Sequence, residues 1–265
     1  MAHNTAWDLD ALMVPTKAAA IYAAQENSLF MNGLIIPNLI VPAGSISAQV
    51  PVFGSETAET LTAASHNAED ATALNVGATK NTITLDLHVA RDVLRDVGGV
   101  NPAELGRVLG NAVAAKFDGA VVTEMNTASN TQEIATDIAA LFDAAAQIRG
   151  AGEMGPLFGI VSPTRAAAIM KEIAGANFAG GDFQNAAMAN GFVGKAAGIT
   201  LFQSAHMTGE GVIFGADALR TASQGGLMVE IERRAAAVGN DIVASYAGGV
   251  GLVDNSRAVK LIDEA

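Results

Sequence analysis

A long polar segment stands between two stretches that have the alternating pattern of β-strands. Apolar and polar residues alternate in SISAQVPVF (45–53) and in TITLDLHV (82–89), which predicts two strands with one buried face each and places His88 on the solvent side. Residues 54–81 between them are rich in Thr, Ala, Ser, Asn and acidic residues, and a connection of this length is uncommon inside a compact domain. We therefore predict a two-stranded excursion that needs a neighbouring surface, because an isolated hairpin is barely stable in water.

The strongest helix signal follows this excursion. The string NPAE (101–104) offers a capping Asn, a Pro at the first helical position and a capping-box Glu. Apolar residues then recur at helical spacing to about Met125, which predicts a helix about 36 Å long at 1.5 Å per residue. Gly106 and Gly110 are four positions apart in it, and this spacing admits a close backbone contact.

The rest of the chain completes the prediction of an α+β protein. Residues 1–45 are expected to form an arm with a short helix from about Thr16 to Met31, after the interruption at Pro15. Helical and strand patterns alternate after the long helix, and a helix is predicted over 131–149. The last part of the chain is predicted to be mostly strands, because its apolar residues alternate or form short buried runs.

Charge and composition exclude several classes of protein. The chain has 15 Lys and Arg against 27 Asp and Glu, a formal net charge of -12, whereas proteins that bind nucleic acid tightly cluster their basic residues. Cys is absent, which excludes a disulfide scaffold and thiolate chemistry. The apolar run 34–41 is far shorter than the roughly 20 residues of a membrane span, and the amino terminus lacks the pattern of a signal peptide.

No motif assembles a catalytic site. GAGEMG (150–155) has the spacing of a dinucleotide-binding loop, but a helix is predicted before it and a strand after it, the reverse of what phosphate binding requires. Ser162 lies in IVSPT, without the frame of a nucleophile elbow, and is interpreted as a helix cap. The four His residues show no local zinc spacing. We predict no catalytic, cofactor-binding or metal residue. The acidic residues of the excursion are interpreted as a solvated or partner-facing surface: Glu56, Glu59, Glu69 and Asp70.

The order of these parts resembles the major capsid proteins of tailed bacteriophages, which have the Hong Kong 97-type fold. The string NPAELGRVLGNAVAAKFDGAVV (101–122) resembles that family's spine helix, including Asp118 in its carboxyl-terminal half. The string IAALFDAAAQIRGAGEMGPLFGIVSPTRAAAIM (138–170) resembles the start of its axial domain. The later strings GFVGKAAGITLFQS, VIFGADALRTA, GGLMVEIERR and DIVASYAGGVGLVDNSRAVKL resemble its closing segments and peripheral-domain strands.

The resemblance implies a division of the chain into four parts. These are an amino-terminal arm (1–45), an extended loop with its flanking strands (46–89), a peripheral domain with the spine helix (90–130 and 229–265) and an axial domain (131–228).

The resemblance also implies a function, which is self-assembly into an icosahedral head shell of pentamers and hexamers around phage DNA. The expected location is the virion, assembled in the host cytoplasm, with a portal and a separate scaffolding protein, or none, since the arm-like region begins near Met1. An acidic chain is expected to contact packaged DNA only weakly. Lys80 lies at the base of the loop, so we predict none of the covalent Lys–Asn crosslinks that some members form.

Contact surfaces, and not catalysts, are thus the predicted functional groups. The alternatives are an encapsulin-type nanocompartment shell, a nucleotide-dependent α/β enzyme that uses GAGEMG, and an unrelated soluble binding domain. The residues predicted to lie in assembly interfaces belong to the arm, the loop and the spine helix: Trp7, Thr57, Glu59, His66, Glu69, Asp70, Lys80, Arg107 and Lys116.

Overall fold

The structure is a computed structural model, and it describes residues 7–53, 78–95, 101–175, 192–234 and 239–263. The helices in these ranges are α1 (Trp7–Asn27), α2 (Pro102–Met125), α3 (Asp137–Gly150) and α4 (Pro163–Gly175). The strands are β1 (Asn38–Ile40), β2 (Ser47–Phe53), β3 (Ala78–Thr84), β4 (Asp86–Arg95), β5 (Asn130–Ile134), β6 (Leu157–Val161), β7 (Phe192–Ala196), β8 (Ile199–Gln203), β9 (Gly211–Gly215), β10 (Leu219–Ser223), β11 (Met228–Arg234), β12 (Gly239–Leu252) and β13 (Ala258–Asp263). A short 3-10 helix, Asn255–Arg257, precedes β13.

The long helix α2 begins and ends where the sequence predicts. The Asn101 side chain accepts a hydrogen bond from the Ala103 amide at 3.1 Å, which caps the first turn. The predicted apolar positions are buried, except that Ala112 is exposed and Ala120 is half-buried. Helix α2 therefore supplies one continuous apolar face to the core.

Helix α1 packs along α2 with the backbones in contact. A Cβ atom placed on Gly106 would lie 2.2 Å from the Thr16 carbonyl oxygen, and one on Gly110 would lie 2.2 Å from that of Ala20. No side chain fits in so small a space, so only glycine permits this approach. Gly106 and Gly110 thus make the close backbone contact that their spacing admits, and its partner is α1.

The position of α1 differs from the predicted arm helix. It begins at Trp7, continues through Pro15 and ends at Asn27, whereas the prediction ran from Thr16 to Met31. Pro15 is exposed, whereas Thr16 and a row of alanines that follow it in the helix are buried. The stabilisation from packing α1 on α2 therefore outweighs the cost of a Pro inside a helix, which is about 3 kcal/mol. The described part of the arm is docked on the body of the protein.

Strand β12 is the centre of a five-stranded sheet. It pairs antiparallel with β11 and then with β10 along one edge, and with β4 along the other. Strand β1 extends this sheet in parallel with β10. Helix α2 covers one face, where Phe117 packs in the same core as Ile242 and Ala244 of β12. The opposite face carries exposed side chains, described below.

The root of the predicted excursion is a two-stranded hairpin. Strands β2 and β3 pair antiparallel from Ser47 opposite Thr84 to Phe53 opposite Ala78, which confirms the two-stranded root. Its second strand begins at Ala78, within the segment predicted to be polar loop. Residues 54–77 lie outside the described part of the chain.

The predicted second strand, 82–89, is in fact two strands that belong to different sheets. Strand β3 ends at Thr84, and β4 leaves β2 to pair with β12. The change of partner at Leu85 also changes the buried face, because a shift of one residue reverses every side chain. His88 is therefore buried, with 6% of its surface exposed, while Leu87 and Val89 are exposed. The prediction of His88 as a surface residue was wrong.

The remaining strands form a six-stranded sheet in the order β5-β13-β9-β6-β8-β7. Helices α3 and α4 bury Leu141, Ile148 and Ile169 against one face, and the other face joins the core around α2 through Phe214. The helix predicted from residue 131 begins only at Asp137, because the preceding residues form β5 against β13. The short strands β1, β5, β7 and β10 were not predicted, since each has only three to five residues and none forms an apolar run like that of β6.

Candidate assembly surfaces

The hairpin is tied firmly to the body at its root. The Asn81 side chain donates a hydrogen bond to the Val253 carbonyl at 2.6 Å. Gly249 of β12 lies so close to β3 that a Cβ atom on it would be 2.0 Å from the Thr84 carbonyl oxygen. The hairpin therefore leaves the body from a fixed position, although its two strands pair only with each other in the described part of the chain.

A cleft of about 530 Å³ lies between this root, α2 and the end of β12. His88 and Tyr246 both contact Phe117 edge-on, with ring centres 5.6 and 5.1 Å apart. Burial lowers the pKa of His88, and its hydrogen bond to the Gly248 carbonyl and the charge of Asp86 oppose this shift. His88 is consequently a neutral core residue at the hairpin root.

The outer face of the five-stranded sheet carries exposed apolar side chains at one end. Leu87 and Val89 are 66% and 50% exposed, and Met228 is 55% exposed. Val89 and Met228 flank Ser245 on neighbouring strands, so these side chains form one apolar patch. The other end is polar, where Arg91 is hydrogen-bonded to Asp241. The sequence does not indicate this patch, because the alternation over 82–89 places Leu87 and Val89 on the buried face.

A second group of exposed apolar residues lies between α1 and the hairpin. Leu34, Ile40 and Ile46 are each more than three-quarters exposed. Strand β1, which ends at Ile40, is held by Asn38, which donates to Ser223 Oγ at 2.8 Å and accepts from Thr221 Oγ1 at 3.2 Å. The segment thus presents apolar side chains from an ordered backbone. Three apolar residues so close together in the sequence are a signal from which this exposed group could have been predicted.

The predicted interface residues fall into three groups. Arg107 and Lys116 are exposed on α2, and Arg107 pairs with Glu104 at 3.1 Å. Trp7 is the first residue of α1 and Lys80 lies in β3 opposite Pro51, while their side chains lie outside the described part. The predicted loop residues also lie outside it: Thr57, Glu59, His66, Glu69 and Asp70.

Asp118 of α2 is a buried carboxylate that joins this helix to the residues after α1. Its carboxylate accepts hydrogen bonds from the Ser28 hydroxyl at 2.6 Å and the Leu29 amide at 2.9 Å. A cleft of about 430 Å³ lies beside it, between the end of α1, α2 and residues 203–206 after β8. Burial raises the pKa of Asp118, while these hydrogen bonds and the charge of His206 oppose the shift. Sequence reasoning marked Asp118 only as part of a resemblance.

The glycine-rich string 150–155 forms a turn that is held by the carboxylate of its own Glu153. It joins α3 to β6, in the order that the sequence predicts. Glu153 is 2% exposed, and its carboxylate accepts from the Gly155 amide at 2.6 Å and faces Arg257 at 3.5 Å. A buried carboxylate repels phosphate, so this turn does not form a nucleotide site. Ser162 accepts from the Arg165 amide at 3.2 Å, which confirms its interpretation as a helix cap.

One arginine joins three carboxylates in the six-stranded part. Arg165 of α4 pairs with Asp137, Glu210 and Asp263 at 2.6, 2.7 and 2.5 Å. It thereby connects the start of α3, the residue before β9 and the end of β13. Its side chain is only 16% exposed, which makes this cluster a structural centre of that region.

The described residues contain no group of three or more His, Cys, Asp or Glu that could hold a metal ion. Among them there is likewise no helix that combines the length and the apolar composition needed to cross a membrane.

The fold is similar to that of several solved structures. No protein-family model and no curated protein sequence matches the chain, but solved structures do. The capsid protein of cyanophage P-SCSP1u superposes with a TM-score of 0.66 at 18% identity, over 87% of this chain and 86% of that one. A virus-like particle subunit from Pyrococcus furiosus gives 0.64 at 12% identity, over 93% and 97%.

A third similar structure is the capsid subunit of a native GTA particle, with a TM-score of 0.64 at 15% identity over 91% of this chain and 97% of that one. The likeness spans nearly the whole length of each chain. The chain therefore has the Hong Kong 97-type fold that the resemblance in its sequence implies.

Proposed function

We propose that this chain is a major capsid protein that assembles into the icosahedral head shell of a tailed bacteriophage. The observation that carries this proposal is the likeness to several capsid subunits over almost the full length of both chains. The role is structural, so the functional groups are contact surfaces. The chain contributes its shape and its side chains to repeated contacts with other copies of itself, as pentamers and hexamers.

The described surfaces support such contacts. A shell subunit forms head-to-tail contacts that close by symmetry, and each needs two different complementary surfaces on one molecule. The patch formed by Leu87, Val89 and Met228 and the exposed residues Leu34 and Ile40 supply two separate apolar surfaces. Exposed apolar groups that lie together are typical of protein–protein contact sites.

We further propose the division into an arm (1–45), an extended loop (46–89), a peripheral domain (90–130 and 229–265) and an axial domain (131–228). Strands β11 and β12 of the five-stranded sheet and strands β6 to β9 of the six-stranded sheet support it, whereas β10 and β13 each pair in the sheet of the other part. We propose that the predicted residues Trp7, Thr57, Glu59, His66, Glu69, Asp70, Lys80, Arg107 and Lys116 lie in interfaces between copies.

The remaining partners follow from the same function. A virion location, assembly in the host cytoplasm, a separate scaffolding protein and a portal belong to this proposal. The net charge of -12 supports weak, non-specific contact with packaged DNA, because tight binding requires clustered Lys and Arg.

An encapsulin-type shell that encloses protein is the second candidate. The likeness to the virus-like particle from Pyrococcus furiosus favours it, since the same fold forms a particle there. The contents of purified particles distinguish the candidates: nuclease-protected DNA supports the phage head, and a co-purified protein cargo supports the nanocompartment.

Particle formation is the direct test. The full chain is purified alone and after co-expression with the genes that flank its own, and both samples are studied by sedimentation velocity and negative-stain microscopy over a range of concentrations. We expect closed isometric particles above a threshold concentration. Only monomers or small oligomers in both samples, at every concentration, would contradict the proposal.

The apolar patch is tested by a double substitution, Leu87→Ser with Val89→Ser. Both side chains are exposed in the subunit, so we expect the free energy of unfolding to change by less than about 1 kcal/mol and the threshold concentration to rise at least tenfold. Met154→Ser is the matched control, because Met154 is 89% exposed in the turn before β6. Unchanged assembly of the double variant would remove this patch from the proposed interfaces.

A further inference from the structure

The hairpin of β2 and β3 rests on two glycines near the end of β12. Gly249 and Gly251 are two positions apart on that strand, so they share one face of the sheet. A Cβ atom on Gly249 would lie 2.0 Å from the Thr84 carbonyl oxygen, and one on Gly251 would lie 2.8 Å from Ile83 Cγ1. The root of the hairpin therefore lies closer to the sheet than side chains at these two positions would allow.

Ile83 fills the space above these glycines. It is 1% exposed and packs in a small core with Ala48 and Ala222. Ala222 of β10 is paired with Gly249, so its methyl group borders the same depression in the sheet. We call Ala222, Gly249 and Gly251 the hairpin seat, because these three positions carry a methyl group or no side chain and Ile83 lies on them.

A second contact fixes the direction of the hairpin. Asn81 lies three residues before Thr84 on β3, and its side chain donates a hydrogen bond to the Val253 carbonyl at 2.6 Å. The two contacts are about 10 Å apart along the strand, at about 3.3 Å per residue. Two fixed points on one strand determine its direction as well as its position. The depth of the seat at one point and the hydrogen bond at the other thus set one angle between hairpin and sheet.

The hairpin seat and the apolar patch lie on the same outer face of the five-stranded sheet. Leu87 of the patch is paired with Ala247, two positions before Gly249, and alternate residues of a strand point to the same side. The patch therefore begins directly beside the root of the hairpin. The angle of the hairpin consequently limits the directions from which another copy can approach the patch.

We propose that Gly249 and Gly251 are positioning residues, whose missing side chains set the angle at which the hairpin leaves the subunit and thereby the curvature of the shell. This inference rests on the proposed function, because curvature exists only between copies. A shell closes by repeating the same contacts through rotations. A change of angle within the subunit is therefore repeated in every copy and changes the radius at which the shell closes.

The size of the change follows from the distances. A methyl group on Gly249 must displace the Thr84 oxygen, because real Cβ atoms do not approach other atoms as closely as 2.0 Å. Raising this oxygen by about 1 Å, over the distance of about 10 Å to Asn81, tilts β3 by about 6°. Gly251→Ala should tilt it less, because the new methyl group meets the side chain of Ile83 and not the backbone.

The first experiment measures this angle in the full chain, held below its assembly concentration. Residual dipolar couplings of the backbone amides give the orientation of β2 and β3 relative to β12 and α2. Gly249→Ala should rotate the hairpin by about 6°, and Gly251→Ala by less. Gly226→Ala is the matched control, because Gly226 lies between β10 and β11 and a Cβ atom there would have no neighbour within 4 Å. It should leave the angle unchanged.

The second experiment measures particle diameters by electron cryomicroscopy, under conditions in which the unaltered chain forms closed particles. We expect Gly249→Ala to move most particles to a different diameter or to leave them unclosed, and Gly226→Ala to reproduce the unaltered diameters. Gly251→Ala should shift the diameters in the same direction but less. It also serves as the test variant if Gly249→Ala does not fold.

Two results would overturn the inference. One is an unchanged hairpin angle in the folded test variant, which would show that the seat does not set the angle. The other is a tilted hairpin in particles of unaltered diameter, which would separate the angle from the curvature. Absence of particles from the unaltered chain would contradict the proposed function instead, and the dipolar couplings would still decide whether these glycines position the hairpin.

Discussion

Gly110 of α2 lies against the carbonyl oxygen of Ala20 in α1, at a distance that leaves no room for a side chain. A Cβ atom there would be 2.2 Å from that oxygen, so Gly110→Ala must push the two helices apart. We expect a loss of about 3 kcal/mol in the free energy of unfolding, at the upper end of the range for overpacked cores. Denaturant unfolding measures this loss.

Gly119→Ala is the matched control on the same helix. A Cβ atom at Gly119 would meet its nearest neighbour, His206 Nδ1, at an ordinary 3.5 Å. Ala is the better helix former by about 1 kcal/mol, so this variant should be as stable as the unaltered chain or more so. Equal destabilisation by both substitutions would show that the helix contact is not as close as described.

His88 should make the subunit sensitive to acid. Its pKa is 6.5 in an ordinary environment and is lower in the folded chain. The stability that depends on neutral His88 is fully present above the pKa that His88 has in the unfolded chain. It is lost as the pH falls through the pKa that His88 has in the folded chain. The free energy of unfolding should therefore decline as the pH falls below about 6.5, and His88→Gln should make this decline shallower. An identical decline in the variant would assign the effect to other groups.

Arg165 should contribute much more to stability than Arg107. Arg165→Met leaves Asp137 and Glu210 without their cation in a largely buried site and removes the partner of the more exposed Asp263, and we expect a loss of about 2–3 kcal/mol. Arg107→Met removes a pair whose members are 60% and 62% exposed, and such pairs contribute less than about 1 kcal/mol. Thermal unfolding of the two variants side by side gives the comparison, and equal effects would contradict it.

Asn38 should control the order of β1. Asn38→Ala leaves the nearly buried hydroxyls of Thr221 and Ser223 with fewer partners, at a cost of about 1–2 kcal/mol. Exchange of the Ile40 and Val41 amides should accelerate, while exchange in β6 should not change. Uniform acceleration throughout the chain would indicate global destabilisation instead.

The long elements could be predicted because their signals are local. The cap at Asn101, the helical spacing up to Met125 and the pair Gly106 and Gly110 lie within one stretch of chain, and the structure follows them. The central strand β12 and the turn around Glu153 were also found, since both depend on neighbouring residues.

The errors arise where distant residues decide the outcome. The buried face changes at Leu85 because β4 pairs with β12, whose paired residues lie 144 to 162 positions further along the chain. Helix α1 continues through Pro15 because α2 holds it. The junction at Asp118 joins residues 90 positions apart, and nothing near Asp118 in the sequence indicates Ser28. The loop residues Thr57 to Asp70 remain predictions.

The position of β13 has a consequence for synthesis of the polypeptide. This strand, residues 258–263, lies inside the six-stranded sheet between β5 and β9, which both precede it in the chain. Until these residues have emerged from the ribosome, a gap separates β5 from the rest of its sheet, and Arg165 lacks Asp263. A copy whose synthesis stops before residue 258 therefore cannot complete the six-stranded sheet.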